Sequence, residues 1–321
     1  MLRKLYALQR LTSTRIADAL GVEVRYVEGF FRSLKGLGIY LKPDIDHRSL
    51  GWKRCVVVLR NVVLDIDRIR GAPFVRSALF AIPLSTVLVI DVSSYEPIDG
   101  VEVLCLDFVV RSRPEPELLK EVARGCIDAV ARSVPREVPE VATPYTYRID
   151  WIDLEILRIV SRDPTIRLRS LSYALKRSVR SHVNHAEGAI SGYRVSRIDA
   201  LRSNDSCVYI VFATCSDPHE ACRRFVAHPF VRGCGYARNT VVLHSVLPMK
   251  YLNTFTQTLA AIAPECRIEE TFVGPLNQHY VAFVGSTSTG EYSSRNGLLA
   301  ETPRTVVEKL FEIGALKRIQ S

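Results

Sequence analysis

The sequence predicts an α+β protein in which two helical segments alternate with two strand-rich segments. Three observations predict this class: an internal repeat, short β-branched runs that alternate with helical patterns, and positive charge concentrated in two of the segments. The 321 residues are 47% hydrophobic and 24% charged, which excludes collagen-like, coiled-coil and disordered chains. A chain of this length is expected to form two or more domains with substantial cores.

A repeated segment sets the organisation of the chain. Residues 72–81 and 228–237 share proline, phenylalanine, valine, arginine and alanine at matching positions. A short run precedes and follows each segment, at 55–59 and 86–90 for the first and at 207–211 and 240–244 for the second. These runs are short and rich in β-branched residues, which favours buried strands. Three matches in the same order indicate a duplication.

The second copy has the clearer order of elements. Asp217 is a predicted N-cap, with Pro218 at the first helical position and Glu220 placed to complete a capping box. A second helix is predicted over 249–262, where apolar residues recur at helical spacing, and a last strand over 267–273. The order β-α-β-β-α-β predicts a ferredoxin-like sandwich.

The first copy follows this order less closely. A turn at 93–100 leads to a predicted strand over 101–110, and a helix follows over 115–133. We therefore expect no helix between the third and fourth strands of this copy.

A helical segment precedes each copy. Near the start of the chain, helices are predicted over 14–20 and 23–37, which end at Gly21 and Gly38. Before the second copy, helices are predicted over 149–160, 171–175 and 179–188. Two helices joined by a tight turn, the second with a basic outer face, are typical of a helix-turn-helix.

These elements divide the chain into two winged helix-turn-helix domains that alternate with two ferredoxin-like domains. The expected boundaries are 1–50 and 146–202 for the winged helix-turn-helix domains, 51–145 and 203–286 for the ferredoxin-like domains, and 287–321 for a tail. The proline-punctuated stretch 134–144 is interpreted as a linker. The polar run 286–297 is interpreted as a loop, and 305–316 as a terminal helix that docks on the body.

Positive charge is concentrated in the two helical segments. The net charge is +9, with 34 arginines and nine lysines. Residues 1–42 hold eight basic and three acidic side chains, and residues 162–202 hold nine and three. A surface that is arginine-rich through composition alone would show no such clustering. Because arginine presents a rigid set of donors suited to phosphate and guanine edges, the clustering predicts double-stranded DNA as the partner.

The second helix of a helix-turn-helix enters the major groove, which nominates the DNA-contacting residues. They are Arg25, Tyr26, Arg32 and Lys35 in the first segment and Lys176, Arg177, Ser178, Arg180, Ser181 and Asn184 in the second. Arginine suits guanine and asparagine suits adenine, while serine and lysine more often hold phosphate. The alternative for the first set is that Glu28 pairs with Arg25 and Arg32 along a solvated helix face.

Other residue patterns predict no further chemistry. The eight cysteines form no C-x-x-C pair and most lie in apolar runs, so we expect small buried hydrophobes, with disulfides only in a hyperthermophile's protein. His182 and His185 share a helix face but have no acidic or cysteine neighbour in sequence, so no metal or cofactor is expected. Gly233 and Gly235 are expected to mark a bulge or a close approach within a strand.

The chain shows no secretory or membrane-spanning pattern. Its first residues carry charges throughout, so no signal peptide is expected. The longest weakly charged run, 77–90, contains Pro83 and is too short to span a bilayer. We expect a soluble, cytoplasmic protein with no membrane partner.

Three motifs of the second copy resemble the Lrp/AsnC (feast/famine) family of archaeal and bacterial transcription regulators. They are the run 149–158 with the Asp-x-x-x-Arg of 163–167, the Gly-Ala-Ile-Ser-Gly-Tyr of 188–193, and the His-Pro-Phe-Val of 228–231. The resemblance covers 149–275 well and 1–110 loosely. It implies ferredoxin-like domains of the RAM (ACT-like) type, an amino-acid-like effector, self-association through those domains, and no catalytic activity. One chain would supply a pseudo-dimer that reads two half-sites about 34–36 Å apart.

Two alternatives remain open. The same architecture is used by sirohaem decarboxylases, for which Arg232, Arg238 and His244 would be the candidate residues. The stretch 175–188 is shorter than the family's pattern, which suggests instead a module that binds an effector or a partner without contacting DNA.

Overall fold

Helices and antiparallel sheets share the chain, as the α+β class requires. The structure is a computed structural model that describes residues 1–69, 72, 75–144, 149–281 and 302–319. Its helices are α1 Leu2–Tyr6, α2 Ser13–Leu20, α3 Val24–Gly36, α4 Ile66–Ile69, α5 Pro116–Ala123, α6 Ile127–Ala131, α7 Trp151–Arg162, α8 Leu168–Ala174, α9 Arg180–Gly188, α10 Pro218–Phe225, α11 Leu252–Ile262 and α12 Pro303–Glu312. Its strands are β1 Ile39–Ile45, β2 Lys53–Arg60, β3 Val62–Leu64, β4 Val75–Ala81, β5 Ser85–Val92, β6 Glu102–Leu106, β7 Phe108–Arg111, β8 Ile190–Ile198, β9 Ser206–Cys215, β10 Val231–Ala237, β11 Thr240–Pro248, β12 Cys266–Pro275, β13 His279–Val281 and β14 Leu316–Arg318.

Two five-stranded sheets are completed by strands exchanged between the halves of the chain. The first has the order β13-β4-β5-β2-β6 and the second the order β12-β9-β11-β10-β7. Strand β7 of the first half pairs with β10, with Arg111 opposite Gly233. Strand β13 of the second half pairs with β4, with His279 opposite Leu79. Each half therefore supplies the edge strand of the other's sheet.

The two sheets pack face to face around a shared apolar core. Because side chains alternate along a strand, every second residue points into this core. The first sheet contributes Val56, Val58, Leu79, Ala81 and Val87, and the second contributes Val208, Ile210, Phe212, Val242, Val246 and Phe272. Each sheet therefore covers the inner face of the other, and the core between them contains residues of both halves.

Helices cover the outer face of each sheet. Helices α10 and α11 place Phe225 and Phe255 in the core beneath the second sheet. The first sheet has no helix between its third and fourth strands, as expected from the sequence, and α12 from the end of the chain packs there through Val306 and Leu310. The predicted terminal helix ends earlier than residue 316, because Gly314 takes a φ of 72° and Leu316 begins β14, which pairs with β3.

The helical segments lie side by side. Strands β1 and β8, which follow α3 and α9, pair antiparallel, with Ile39 opposite Ile198. Across the same boundary Arg15 Nη2 lies 2.7 Å from the Glu187 carboxylate, whose side chain is 1% exposed. The two helical segments are therefore held in one relative orientation.

Local signals locate most elements to within a few residues. Gly21 closes α2 in the left-handed conformation, with a φ of 66°, and Asp217 caps α10 by accepting the Glu220 N–H. The strand predicted over 101–110 divides at Asp107 into β6 and β7, since its two parts belong to different sheets. The helix predicted over 115–133 divides into α5 and α6. The loop predicted over 286–297 lies outside the described residues.

Six of the eight cysteines are paired, so the expectation that most are isolated hydrophobes is wrong. Disulfides join Cys55 to Cys105, Cys215 to Cys266, and Cys222 to Cys234. The first two each link the first and last strands of a copy, across sequence separations of 50 and 51 residues. Spacing along the chain could not reveal these pairs, because the sheet brings their strands together.

Reduction should destabilise the protein. In the chain-entropy treatment, closing a loop of this length contributes about 4 kcal/mol. We expect dithiothreitol to lower the midpoint of guanidinium unfolding, followed by circular dichroism. Cys126, which is exposed and free, gives the control: Cys126→Ser should leave the midpoint unchanged. An equal midpoint with and without reductant would contradict the stabilising role.

Candidate nucleic-acid interface and a buried arginine cluster

Helix α3 presents a basic face to solvent. Val27 and Phe31 are buried on one side. All four nominated residues on the other side are exposed: Arg25, Tyr26, Arg32 and Lys35. The face is therefore accessible along the length of the helix.

Glu28 does not neutralise this face. Its carboxylate accepts hydrogen bonds from Arg167 at 2.7 and 3.0 Å, and that bond lowers the pKa of Glu28. Arg25 pairs with Glu23 instead. The alternative in which Glu28 pairs with Arg25 and Arg32 is therefore wrong. Within the described residues Arg32 makes no ion pair.

The second nominated set lies on the turn between α8 and α9 and on the first turns of α9. All six members are exposed: Lys176, Arg177, Ser178, Arg180, Ser181 and Asn184. Lys176 takes a φ of 51° in that turn. Among the described side chains no carboxylate pairs with Lys176, Arg177 or Arg180. Nearby Tyr173 is 87% exposed on α8 and was not nominated from the sequence.

The histidines of α9 contact a buried carboxylate on α7. His182 Nδ1 lies 3.0 Å from Asp153 Oδ1, and His185 Nδ1 contacts the other oxygen. The Asp153 side chain has no exposed surface. No acidic residue lies near these histidines in sequence, and Asp153, which is distant in sequence, contacts them in the structure. The contacts fix α9 against α7.

Replacing Asp153 should loosen α9. The carboxylate also accepts the Asp150 N–H at 3.1 Å, which closes a capping box at the start of α7. We expect Asp153→Ala to lower the free energy of unfolding by about 1–3 kcal/mol, measured by urea denaturation. Asp18→Ala on the exposed face of α2 is the matched control. Equal stability of the two variants would contradict the role of the cluster.

A buried arginine lies against the ribbon formed by β1 and β8. Arg113, on the segment after β7, is fully buried and lies 2.9 Å from Asp44 of β1. The same guanidinium donates to the carbonyls of Tyr6 and Ser191. One arginine thus ties α1 and both ribbon strands to the sandwich.

An internal ion triad lies on the inner face of the first sheet. Arg54 donates to both oxygens of Asp91 at 2.7 and 2.9 Å, and Arg76 donates to one of them at 2.5 Å. All three side chains are at most 5% exposed. Burial acts to lower the pKa of Arg54, but the charge and hydrogen bonds of Asp91 raise it overall.

A cavity of about 590 Å³ adjoins this region, within the range of small-molecule sites. Its charged lining holds four arginines and three carboxylates, which are Arg48, Arg54, Arg111, Arg223, Asp44, Asp46 and Glu140. Burial, followed by the charges of Arg54 and Arg194, lowers the pKa of Arg111 to about 9.

Only two of the three candidate residues of the decarboxylase alternative come together. Arg232 and His244 lie on the neighbouring strands β10 and β11, where Gly233 is opposite His244. Arg238 lies in the hairpin turn at the other end of β10 and is exposed. Its backbone N–H donates to Asp107. As expected, β10 has a bulge between Val231 and Gly233.

Comparison with known proteins gives no assignment of family. No protein-family model and no curated protein matches the chain. Among the described helices, none combines the length and the apolar character needed to cross a bilayer.

Proposed function

We propose that the chain is a sequence-specific double-stranded DNA-binding transcription regulator of the Lrp/AsnC type, in which one chain acts as a pseudo-dimer. The observation that carries this proposal is the exposure of both nominated basic surfaces, with Lys176, Arg177 and Arg180 free of carboxylate partners among the described residues. Unpaired exposed arginines and lysines are available to neutralise phosphates.

The arrangement of elements supports the domain types. The second half has the order β-α-β-β-α-β, and its own strands lie in the spatial order fourth, first, third, second. That order is expected of a ferredoxin-like sandwich. Helices α7 to α9 followed by β8 have the order of a winged helix-turn-helix. Helices α1 to α3 and β1 repeat it at the start of the chain.

The contacts between the helical segments support a pseudo-dimer. The Arg15–Glu187 and Arg167–Glu28 ion pairs both cross from one segment to the other. With β1 paired to β8, they hold α3 and α9 in a fixed relation. A fixed relation between two recognition helices sets the spacing of the half-sites that they can read.

The two surfaces differ, which predicts an asymmetric DNA site. Helix α3 has 13 residues and α9 has nine. The first set contains Tyr26, whereas the second contains Asn184, a residue type suited to adenine. A homodimer reads two equal half-sites, but this chain is expected to read two unequal ones.

Binding should depend steeply on salt. If six to ten phosphates are neutralised, the association constant is expected to fall by about 10³–10⁵ between 50 and 200 mM salt. Selection from a random DNA library, followed by fluorescence anisotropy on the selected site, measures this slope. A flat response would contradict DNA binding through basic side chains.

Charge-removing variants should separate the two surfaces. Replacing Arg25, Arg32 and Lys35 together with alanine, or Lys176, Arg177 and Arg180 together, should lower the slope of log K against log salt by about 3 in each case. The matched control replaces Lys53, Lys120 and Arg267, which are exposed on other elements. Unchanged binding in both surface variants would contradict DNA contact through these two surfaces, and no DNA binding by the unmodified chain would favour the DNA-silent module.

A further inference from the structure

The inner faces of the two sheets correspond residue by residue. Val58 pairs with Val87 across the first sheet, and Phe212 pairs with Val242 across the second. All four belong to the core between the sheets. These pairs give a common register for comparing the polar end of each inner face.

Arg232 of the second sheet occupies the position of Arg76 in the first sheet but lacks the acidic partner. Four positions from these pairs, toward the polar end of the inner face, Arg54 pairs with Asp91 in the first sheet. At the same position of the second sheet, Val208 pairs with Val246. The third member of the triad, Arg76, lies at a bulge of β4, and Arg232 lies at the corresponding bulge of β10. The second half therefore has the arginine without the acid.

Both Nη atoms of the Arg232 guanidinium are buried, and neither has a hydrogen-bond partner among the described residues. Burial, followed by the charges of Arg202 and Arg194, lowers its pKa to about 9. A buried charged donor left unsatisfied costs more than the roughly 1–3 kcal/mol of a neutral one, so native proteins rarely retain one without a role.

The residues whose charges act on Arg232 and His244 are basic. His244 Nε2 is also buried without a hydrogen-bond partner, and its ring centroid lies 5.0 Å from that of His279. His279 is occupied by Ser77, whose Oγ lies 2.8 Å from its Nε2. Burial lowers the pKa of His244, and the charges of His279, Arg111 and Arg232 lower it further. Arg111 also lines the 590 Å³ cavity. The two charged groups that lower the pKa of Arg232, Arg202 and Arg194, are both cations.

We propose that Arg232 and His244 form a binding site for the carboxylate group of a small molecule, which takes the place that Asp91 takes in the first half. The planar guanidinium suits two parallel hydrogen bonds to a carboxylate, and Arg54 shows that geometry on Asp91 in the same protein. His244 supplies a further donor in the tautomer that carries the proton on Nε2. The site lies at the end of β10 away from the hairpin turn, and it does not rest on the proposed function.

Thermal unfolding of the full chain tests the site. The probes are sodium acetate and sodium citrate, compared with sodium chloride at equal ionic strength. Both carboxylates should raise the midpoint by several degrees in a saturable manner, and Arg232→Met should abolish the rise. Because Arg76 already donates its Nε–H to Asp91, Arg76→Met should lower the midpoint and leave the rise intact. No rise above the chloride control, or an equal rise in Arg232→Met, would overturn the proposal.

A second variant installs the missing carboxylate. Val246→Asp should recreate the pairing of the first half, raise the midpoint in carboxylate-free buffer, and remove the response to acetate and citrate. Retention of the full response in Val246→Asp would overturn the proposal. Sodium phosphate is a further probe: a response to phosphate alone would overturn the carboxylate class. No DNA is present in these experiments, so their failure is distinct from a failure of DNA binding.

Discussion

The reciprocal exchange of edge strands is the constraint on which the rest of the structure depends. An unpaired edge leaves a row of backbone donors and acceptors exposed, and here β7 and β13 cover the edges of β10 and β4. The backbones approach closely where the halves cross. A Cβ at Gly235 would lie 2.8 Å from the Phe108 carbonyl, and one at Gly274 would lie 2.3 Å from that of Phe80. Only glycine fits these positions, so both glycines are required for the close contact between the halves.

The exchange also explains what the sequence could and could not predict. Helix ends and buried strands follow from local signals, such as Gly21 after α2 and the capping Asp217. Gly233 and Gly235 were interpretable as a bulge and a close approach. The division of one predicted strand into β6 and β7 depends on which sheet each part joins, and no local signal carries that information.

The candidate sites show the same division. The exposure of the nominated residues on α3 and α9 follows from helical periodicity, which predicts the outward face. The partners of Glu28 and His185 come from other elements, Arg167 and Asp153, and were therefore not predictable from spacing. Asp91 could have been singled out, because a carboxylate within the apolar run of β5 requires a buried cation. Its partner Arg54 lies on another strand, so only the sheet register identifies it.

Fusion into one chain has a consequence for how such a protein can change over evolutionary time. In a homodimer every substitution occurs twice, so an acid lost from one inner face is lost from both. Here the two faces are encoded separately, and Asp91 on one face corresponds to Val246 on the other. The first half thus contains the buried ion cluster of Arg54, Arg76 and Asp91, whereas the second half has no carboxylate at the corresponding position. Two halves within one chain can therefore carry different polar groups at one position of the fold, which two identical subunits cannot do.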